Sequence, residues 1–170
     1  LVGALAKRHA VHFRLVARSG AMSNEIVDRL AELPSEPFDV AVSALGVNDV
    51  KNGRSQAQWQ QDQAALTNML RQKFGVQQIF LSGLPPVGRF PALPQPLRFY
   101  LGNRTKQFDA LLRQHVASQS DCTYVPLNFS LDETAMASDG FHPGAPIYAA
   151  WGEAVAEAIL SGSTLKFLQN

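Results

Sequence analysis

The chain has 170 residues, of which 46% are hydrophobic and 17% charged, and its net charge is +1. This length and composition suit a single globular domain over residues 1–170 with a core of its own. The near-neutral charge gives no electrostatic footprint for nucleic acid or an anionic membrane. The lone Cys122 excludes a disulfide within these residues, and no apolar run reaches the length of a membrane span.

Short apolar segments alternate with amphipathic ones along the chain, which predicts an α/β fold with a parallel sheet. The first residues are typical of the end of an amphipathic helix, with basic side chains in its last turn. Because no Ser, Thr, Asp or Asn caps that helix, we expect the chain to begin upstream of Leu1. The predicted strands lie at 11–17, 38–45, 76–81 and 124–127.

Helix signals fill the gaps between these predicted strands. Ser23 can cap an amphipathic helix, and Ser55 with Gln58 three residues on has the spacing of a capping box. Gly75 is expected to end the long helix that Ser55 begins. Two further helices are predicted, one after a Pro-rich stretch at 85–96 and one at the C-terminal end.

The stretch 138–144 reads Ser-Asp-Gly-Phe-His-Pro-Gly and is the most informative part of the chain. Asp139 and His142 share one tight loop, where the carboxylate can reach the imidazole and hold it in one tautomer. A His held in this way can take a proton from a nucleophile, as the base and orienter of a catalytic triad do. The same residues are common in turns, so this stretch alone leaves a simple turn open.

A second motif follows the predicted strand at 38–45 and reads Gly46-Val47-Asn48-Asp49. In a parallel sheet, ligands bind at the loops that leave the carboxyl ends of the strands. An Asn in such a loop can direct its amide N–H at a reacting oxygen, although an Asn-Asp turn cap is also common. The two motifs together indicate a catalytic site more specifically than either does alone.

With both motifs in this order, the chain resembles the SGNH hydrolases, also called GDSL-type esterases/lipases. That family has four sequence blocks: a Gly-Asp-Ser with the nucleophile, a Gly, a Gly-x-Asn-Asp and an Asp-x-x-His. Here Gly20 stands in the place of the second block, residues 46–49 match the third, and residues 139–142 match the last. The resemblance covers nearly the whole chain, from about Val11 to the C-terminal helix.

The resemblance implies a flavodoxin-like three-layer sandwich whose parallel sheet has the strand order 2-1-3-4-5. It implies a serine ester hydrolase for small or medium acyl esters, which binds a small-molecule ester and needs no cofactor or metal. His142 would be the general base, Asp139 would orient it, and Gly20 and Asn48 would form the oxyanion hole. If this fold is correct, Gly20, Asn48 and His142 converge at the carboxyl edge of one sheet.

One block of the family is missing, because Gly-Asp-Ser occurs nowhere in the 170 residues. Ser43 lies inside a predicted strand and Ser19 adjoins the expected oxyanion Gly20, so both are poor substitutes for the nucleophile. In the implied sheet the first strand is interior, and leaving it out would cost about 1–3 kcal/mol for each unpaired backbone group. We therefore expect a first strand and a Ser-bearing turn upstream of Leu1.

Two other functions remain open at the level of the sequence. The first is a catalytically inactive relative that binds an acylated ligand or a partner protein. The second is a flavodoxin-like binding module in which both motifs are coincidental turns. The residues show neither metal-ligand spacing nor a Gly-rich phosphate loop. The Pro-rich stretch 85–96 is expected either to shape the acyl or alcohol pocket or to be a rigid surface connection.

Overall fold

The computed structural model describes residues 1–90, 92–127, 136–139 and 142–162. By their contacts they form two units, a larger one at Leu15–Leu127 and a smaller one that combines Leu1–Arg14 with Asn128–Asn170. In chain order the elements are α1 (Val2–Leu5), α2 (Ser23–Glu32), β1 (Val40–Ser43), α3 (Val47–Lys51), α4 (Gln56–Phe74), β2 (Gln78–Ser82), a 3-10 turn (Val87–Arg89), α5 (Leu97–Ala117), β3 (Cys122–Val125) and α6 (Ala145–Ser161).

The larger unit contains a parallel three-stranded sheet in the order β1-β2-β3. In its register Val42 is opposite Phe80, and Phe80 is opposite Thr123. The predicted α/β class with a parallel sheet flanked by helices is confirmed. In the sheet the three strands lie side by side in chain order. The last three positions of the predicted 2-1-3-4-5 order require this arrangement. The described residues contain only this part of the predicted order.

The core of the larger unit is built on the central strand β2, whose residues Ile79, Phe80 and Leu81 are almost completely buried. A parallel strand that is covered on both faces has a continuous apolar sequence rather than an alternating one. In the same unit Trp59 of α4 and Phe108 of α5 are also buried, and their ring centroids lie 5.0 Å apart. These buried side chains belong to the core of the larger unit.

The long helix α4 begins and ends as its sequence predicts. The Gln58 backbone N–H donates to Ser55 Oγ at 3.2 Å, and the Ser55 N–H donates to the Gln58 side chain at 3.2 Å. At the other end Gly75 has a φ of 62°, the left-handed conformation that favours glycine. Both predictions are confirmed. They could be made from the sequence because each depends only on residues close together in the chain.

Residues 11–17 form no strand, so that prediction is wrong. The side chains of Val11, Phe13 and Leu15 are 37%, 53% and 74% exposed. An apolar run becomes a strand only when a neighbouring backbone pairs with it, and among the described residues no strand pairs with this segment. The composition of the segment is therefore not sufficient to determine its structure.

The smaller unit pairs α1 with α6. Gly152 of α6 lies so close to Leu1 that a Cβ at this position would collide with the Leu1 backbone nitrogen. The helix predicted at the start of the chain is confirmed for Val2–Leu5, and α6 buries Val155 and Ile159. Among the helices that the structure describes, none is both long and apolar enough to cross a bilayer.

We expect Gly102→Ala to destabilise the larger unit. A Cβ at Gly102 of α5 would lie 2.6 Å from Gly88 Cα and 3.0 Å from Gly88 N, in the 3-10 turn after β2. These are backbone atoms that cannot rotate away, so over-packing should lower the free energy of unfolding by about 1–3 kcal/mol. Thermal unfolding measures this effect as a fall of several degrees in melting temperature.

Gly3→Ala is the matched control for Gly102→Ala. A Cβ at Gly3 would meet no atom within 4 Å, so the same substitution should not lower the melting temperature. A Gly102→Ala protein as stable as the wild type would show that the turn and α5 are not in close contact.

Candidate active site

The motif at 46–49 lies after the carboxyl end of β1 and begins α3. Gly46 precedes this helix with a φ of 125°, a conformation that residues with a side chain rarely adopt. A Cβ at Gly46 would also lie only 3.0 Å from Cδ2 of Leu84, in the loop after β2. The backbone conformation favours glycine here, and a side chain would also have to displace Leu84 slightly. This Gly places Asn48 and Asp49 in the first turn of α3.

Asn48 directs its side-chain amide at the turn that contains Gly20. Its Nδ2 donates to the Ala21 carbonyl oxygen at 3.0 Å. An amide nitrogen carries two hydrogens, so this bond fixes the plane of the amide while using one of them. The structure therefore brings two of the predicted site positions, Gly20 and Asn48, into neighbouring turns of the larger unit.

Gly20 itself lies just before α2 and has a φ of 77°. It is exposed, and no atom lies within 4 Å of the place where a Cβ would be. Backbone conformation, and not crowding, is therefore what favours glycine at this turn. The exposed backbone of Gly20 is accessible to a ligand.

Asp49 is fully buried beside this turn. Its carboxylate accepts hydrogen bonds from the Ser23 backbone N–H at 3.0 and 3.2 Å and from Ser23 Oγ at 3.0 Å. Burial raises the pKa of the Asp49 carboxyl, and the hydrogen bonds from Ser23 oppose that rise. A carboxylate withdrawn from solvent and bonded to backbone is suited to hold a loop, and not to react with a substrate.

Ser23 is not the N-cap of α2, so that prediction is wrong. The helix begins at Ser23 itself, and the N–H of the preceding Met22 donates to the Glu25 side chain at 2.8 Å. The Ser23 hydroxyl binds Asp49 instead, and Gln63 of α4 donates to that hydroxyl at 3.1 Å. A Ser before an amphipathic helix is typical of a cap, and nothing local indicates a partner 26 residues away.

Asp139 and His142 contact each other in the smaller unit. His142 Nδ1 lies 2.5 Å from Asp139 Oδ2, and the His142 backbone N–H donates to Asp139 Oδ1 at 2.9 Å. The Ala137 N–H donates to the His142 carbonyl at 2.8 Å, and Met136 and Pro143 form an antiparallel bridge. The two ends of the loop are thus tied together; residues 140 and 141 of the motif lie outside the described residues.

This geometry selects one tautomer of His142. An ionised carboxylate can only accept hydrogen bonds, so the shared proton belongs to Nδ1, and Nε2 of the neutral ring keeps its lone pair. Nε2 is then the atom that can take a proton from a nucleophile. The side chains of His142 and Asp139 are 64% and 49% exposed, so solvent and small molecules can reach the pair.

The predicted site positions thus occupy two local clusters. Gly20 and Asn48 lie together in the larger unit, and Asp139 and His142 lie together in the smaller one. Within the described ranges, no group of three or more His, Cys, Asp or Glu side chains could hold a metal ion. The local chemistry available is a carboxylate-oriented imidazole in one cluster and amide donors in the other.

Comparison with protein families gives the class of this chain. The model of the GDSL-like Lipase/Acylhydrolase family matches residues 1–150, a span that contains both motifs. Since the match covers most of the chain, the protein belongs to this family, and the resemblance inferred from its motifs is confirmed. A comparison with curated proteins gave no match.

Solved structures share the fold at low sequence identity. A Streptococcus pneumonia protein solved as a proposed platelet activating factor has a TM-score of 0.68 and 16% identity, over 82% of this chain and 69% of that one. A GDSL-like lipase from Bacteroides thetaiotaomicron has a TM-score of 0.63 and 17% identity, over 84% and 72%. A carbohydrate esterase family 3 protein from Talaromyces cellulolyticus has a TM-score of 0.61 and 14% identity, over 84% and 68%. Family and fold together place the protein among the hydrolases of the SGNH type.

Proposed function

We propose that this protein is a carboxylic ester hydrolase that acts on small or medium acyl esters through a serine acyl-enzyme. The observation that carries this proposal is the 2.5 Å contact between His142 Nδ1 and Asp139 Oδ2. An imidazole oriented by a carboxylate is the group that activates a weak hydroxyl nucleophile. Membership of a family that acts on small-molecule esters supports the same conclusion.

In the proposed reaction, a Ser upstream of Leu1 attacks the ester carbonyl carbon while His142 Nε2 takes the hydroxyl proton. The tetrahedral intermediate then collapses, its bond to the alcohol oxygen breaks, and His142 gives the proton to the leaving alcohol. Water attacks the acyl-enzyme in the same way and releases the carboxylic acid and the free Ser. Asp139 keeps the ring oriented and stabilises its charged form throughout, and no cofactor takes part.

The oxyanion of the intermediate is proposed to bind the Gly20 backbone N–H, the Asn48 side-chain amide and the N–H of the upstream Ser. Fixed donors aimed at the developing charge usually supply the largest single part of the rate enhancement. The bond from Asn48 to the Ala21 carbonyl supports this role, because it holds the amide plane still before a substrate arrives. The second hydrogen of Asn48 Nδ2 is the one proposed to reach the oxyanion.

Labelling with a fluorophosphonate probe tests the proposed function. We expect the probe to attach to one Ser upstream of Leu1 in the full-length protein, and digestion with mass spectrometry identifies that residue. Heat-denatured protein is the control and should take no label.

The outcome also decides between the esterase proposed here and the catalytically inactive relative that the sequence left open. If native full-length protein takes no label at any pH, a catalytically inactive SGNH-like binding protein replaces the esterase proposed here. Labelling of a Ser within residues 1–170 would retain the enzyme and reject the upstream position of its nucleophile.

A further inference from the structure

Ser23 and Asp49 form a buried link between two turns that are distant in the chain. Both residues have an exposed fraction of 0%. Three hydrogen bonds join them, two from the Ser23 backbone N–H and one from its hydroxyl. Gln63, itself 2% exposed, donates to the Ser23 hydroxyl at 3.1 Å and so directs the hydroxyl hydrogen toward Asp49. We call these bonds between Ser23 and Asp49 the clamp.

The clamp lies beside the two proposed oxyanion donors in the sequence. Ser23 lies three residues after Gly20, and Asp49 directly follows Asn48. The Asn48–Ala21 bond forms a second tie between the same two segments. Two ties separated by only a few residues fix both the distance and the rotation of one segment relative to the other, which a single bond could not do.

The chemistry of the clamp also argues against a role in stability alone. Burying a carboxylate is costly unless it is well bonded, and an apolar pair of similar volume often stabilises a core at least as well. The nearby charge of Asp62 adds to this cost, because it raises the pKa of the Asp49 carboxyl further. Some proteins keep such a costly buried polar group because it fixes one local geometry.

We infer that Ser23 and Asp49 are positioning residues, which hold the Gly20 N–H and the Asn48 amide at the separation that an oxyanion requires. This inference rests on the proposed function, in which Gly20 and Asn48 are the donors. Such donors act only when they are fixed before the reaction, and a displacement of about 1 Å can cost about 100-fold in rate. Neither Ser23 nor Asp49 touches the reacting atoms in this arrangement.

Ser23→Ala and Asp49→Asn in the full-length protein test the positioning role. Ser23→Ala removes the hydroxyl bond and keeps the backbone bonds, so we expect kcat for p-nitrophenyl butyrate to fall about 10-fold. Asp49→Asn replaces one of the two acceptor oxygens by a donor, so kcat should fall further, toward about 100-fold. KM should change little in both variants, because the donors bind the oxyanion more strongly than the ground-state carbonyl.

Thr105→Val is the matched control. Thr105 is 2% exposed, and its hydroxyl donates to the Leu101 carbonyl within α5. This variant also loses one buried hydroxyl, but it leaves the clamp intact. A comparable change in melting temperature with an unchanged kcat would show that loss of a buried hydroxyl does not by itself slow the reaction.

A second readout does not depend on turnover. In NMR spectra, Ser23→Ala should shift the Gly20 backbone amide and the Asn48 side-chain amide, and Thr105→Val should leave both in place. The positioning role requires both the shift and the fall in kcat. Either result without the other would overturn it.

The two proposals fail in different ways. A wild-type protein that hydrolyses no ester and takes no probe would overturn the proposed function, and the positioning role with it. An active wild type whose Ser23→Ala variant keeps the wild-type kcat would overturn the positioning role alone.

Discussion

His142→Ala is expected to lower kcat for ester hydrolysis by the full-length protein by about 10⁴-fold or more, which nearly abolishes activity. Without the imidazole no group takes the Ser proton, and only binding and the oxyanion donors remain to accelerate the reaction. The His142 side chain is 64% exposed, so its removal should not disturb the core. Steady-state hydrolysis of p-nitrophenyl butyrate measures the loss, and circular dichroism shows whether the fold is retained.

His9→Ala is the control for this variant, because it removes an imidazole from the same unit but not from the proposed site. Its turnover should equal that of the wild type. Asp139→Asn should lower kcat less than His142→Ala does, because the base is still present and only its orientation and tautomer are lost. Wild-type turnover in a folded His142→Ala protein would remove His142 from the reaction and with it the triad mechanism.

Asn48→Ala is expected to lower kcat by about 100–1,000-fold, the usual loss for one oxyanion donor. KM should change much less, because the donor binds the charged intermediate more strongly than the neutral ester. The same ester assay measures both constants. The side chain that is removed also donates to the Ala21 carbonyl, so the melting temperature should be measured beside the rate.

Asn52→Ala provides the comparison for Asn48→Ala. Asn52 is the exposed C-cap residue of the same short helix, α3, and it lies outside the proposed oxyanion hole. Its replacement should leave kcat unchanged. Equal losses in the two variants would mean that disruption of α3 slows the reaction, and wild-type turnover in Asn48→Ala would remove Asn48 from the oxyanion hole.

Features that depend on neighbouring residues could be predicted from the sequence. The capping box of Ser55 and Gln58 and the left-handed Gly75 involve partners within one or two turns of α4. The contact between Asp139 and His142 is also local, since three residues separate them in a tight loop. The alternation of apolar segments with amphipathic ones was enough to predict the α/β class, because parallel strands are joined by crossover connections that are usually helices.

Other features depend on partners that are distant in the chain, and only the tertiary structure decided them. Residues 11–17 have the composition of a strand, but strand formation requires a paired neighbour, and their apolar side chains are exposed. Ser23 has the position of a helix cap in the sequence, but its hydroxyl donates to the buried carboxylate of Asp49 instead. Local sequence determines which backbone conformations are favourable; long-range pairing and burial determine which hydrogen bonds are finally made.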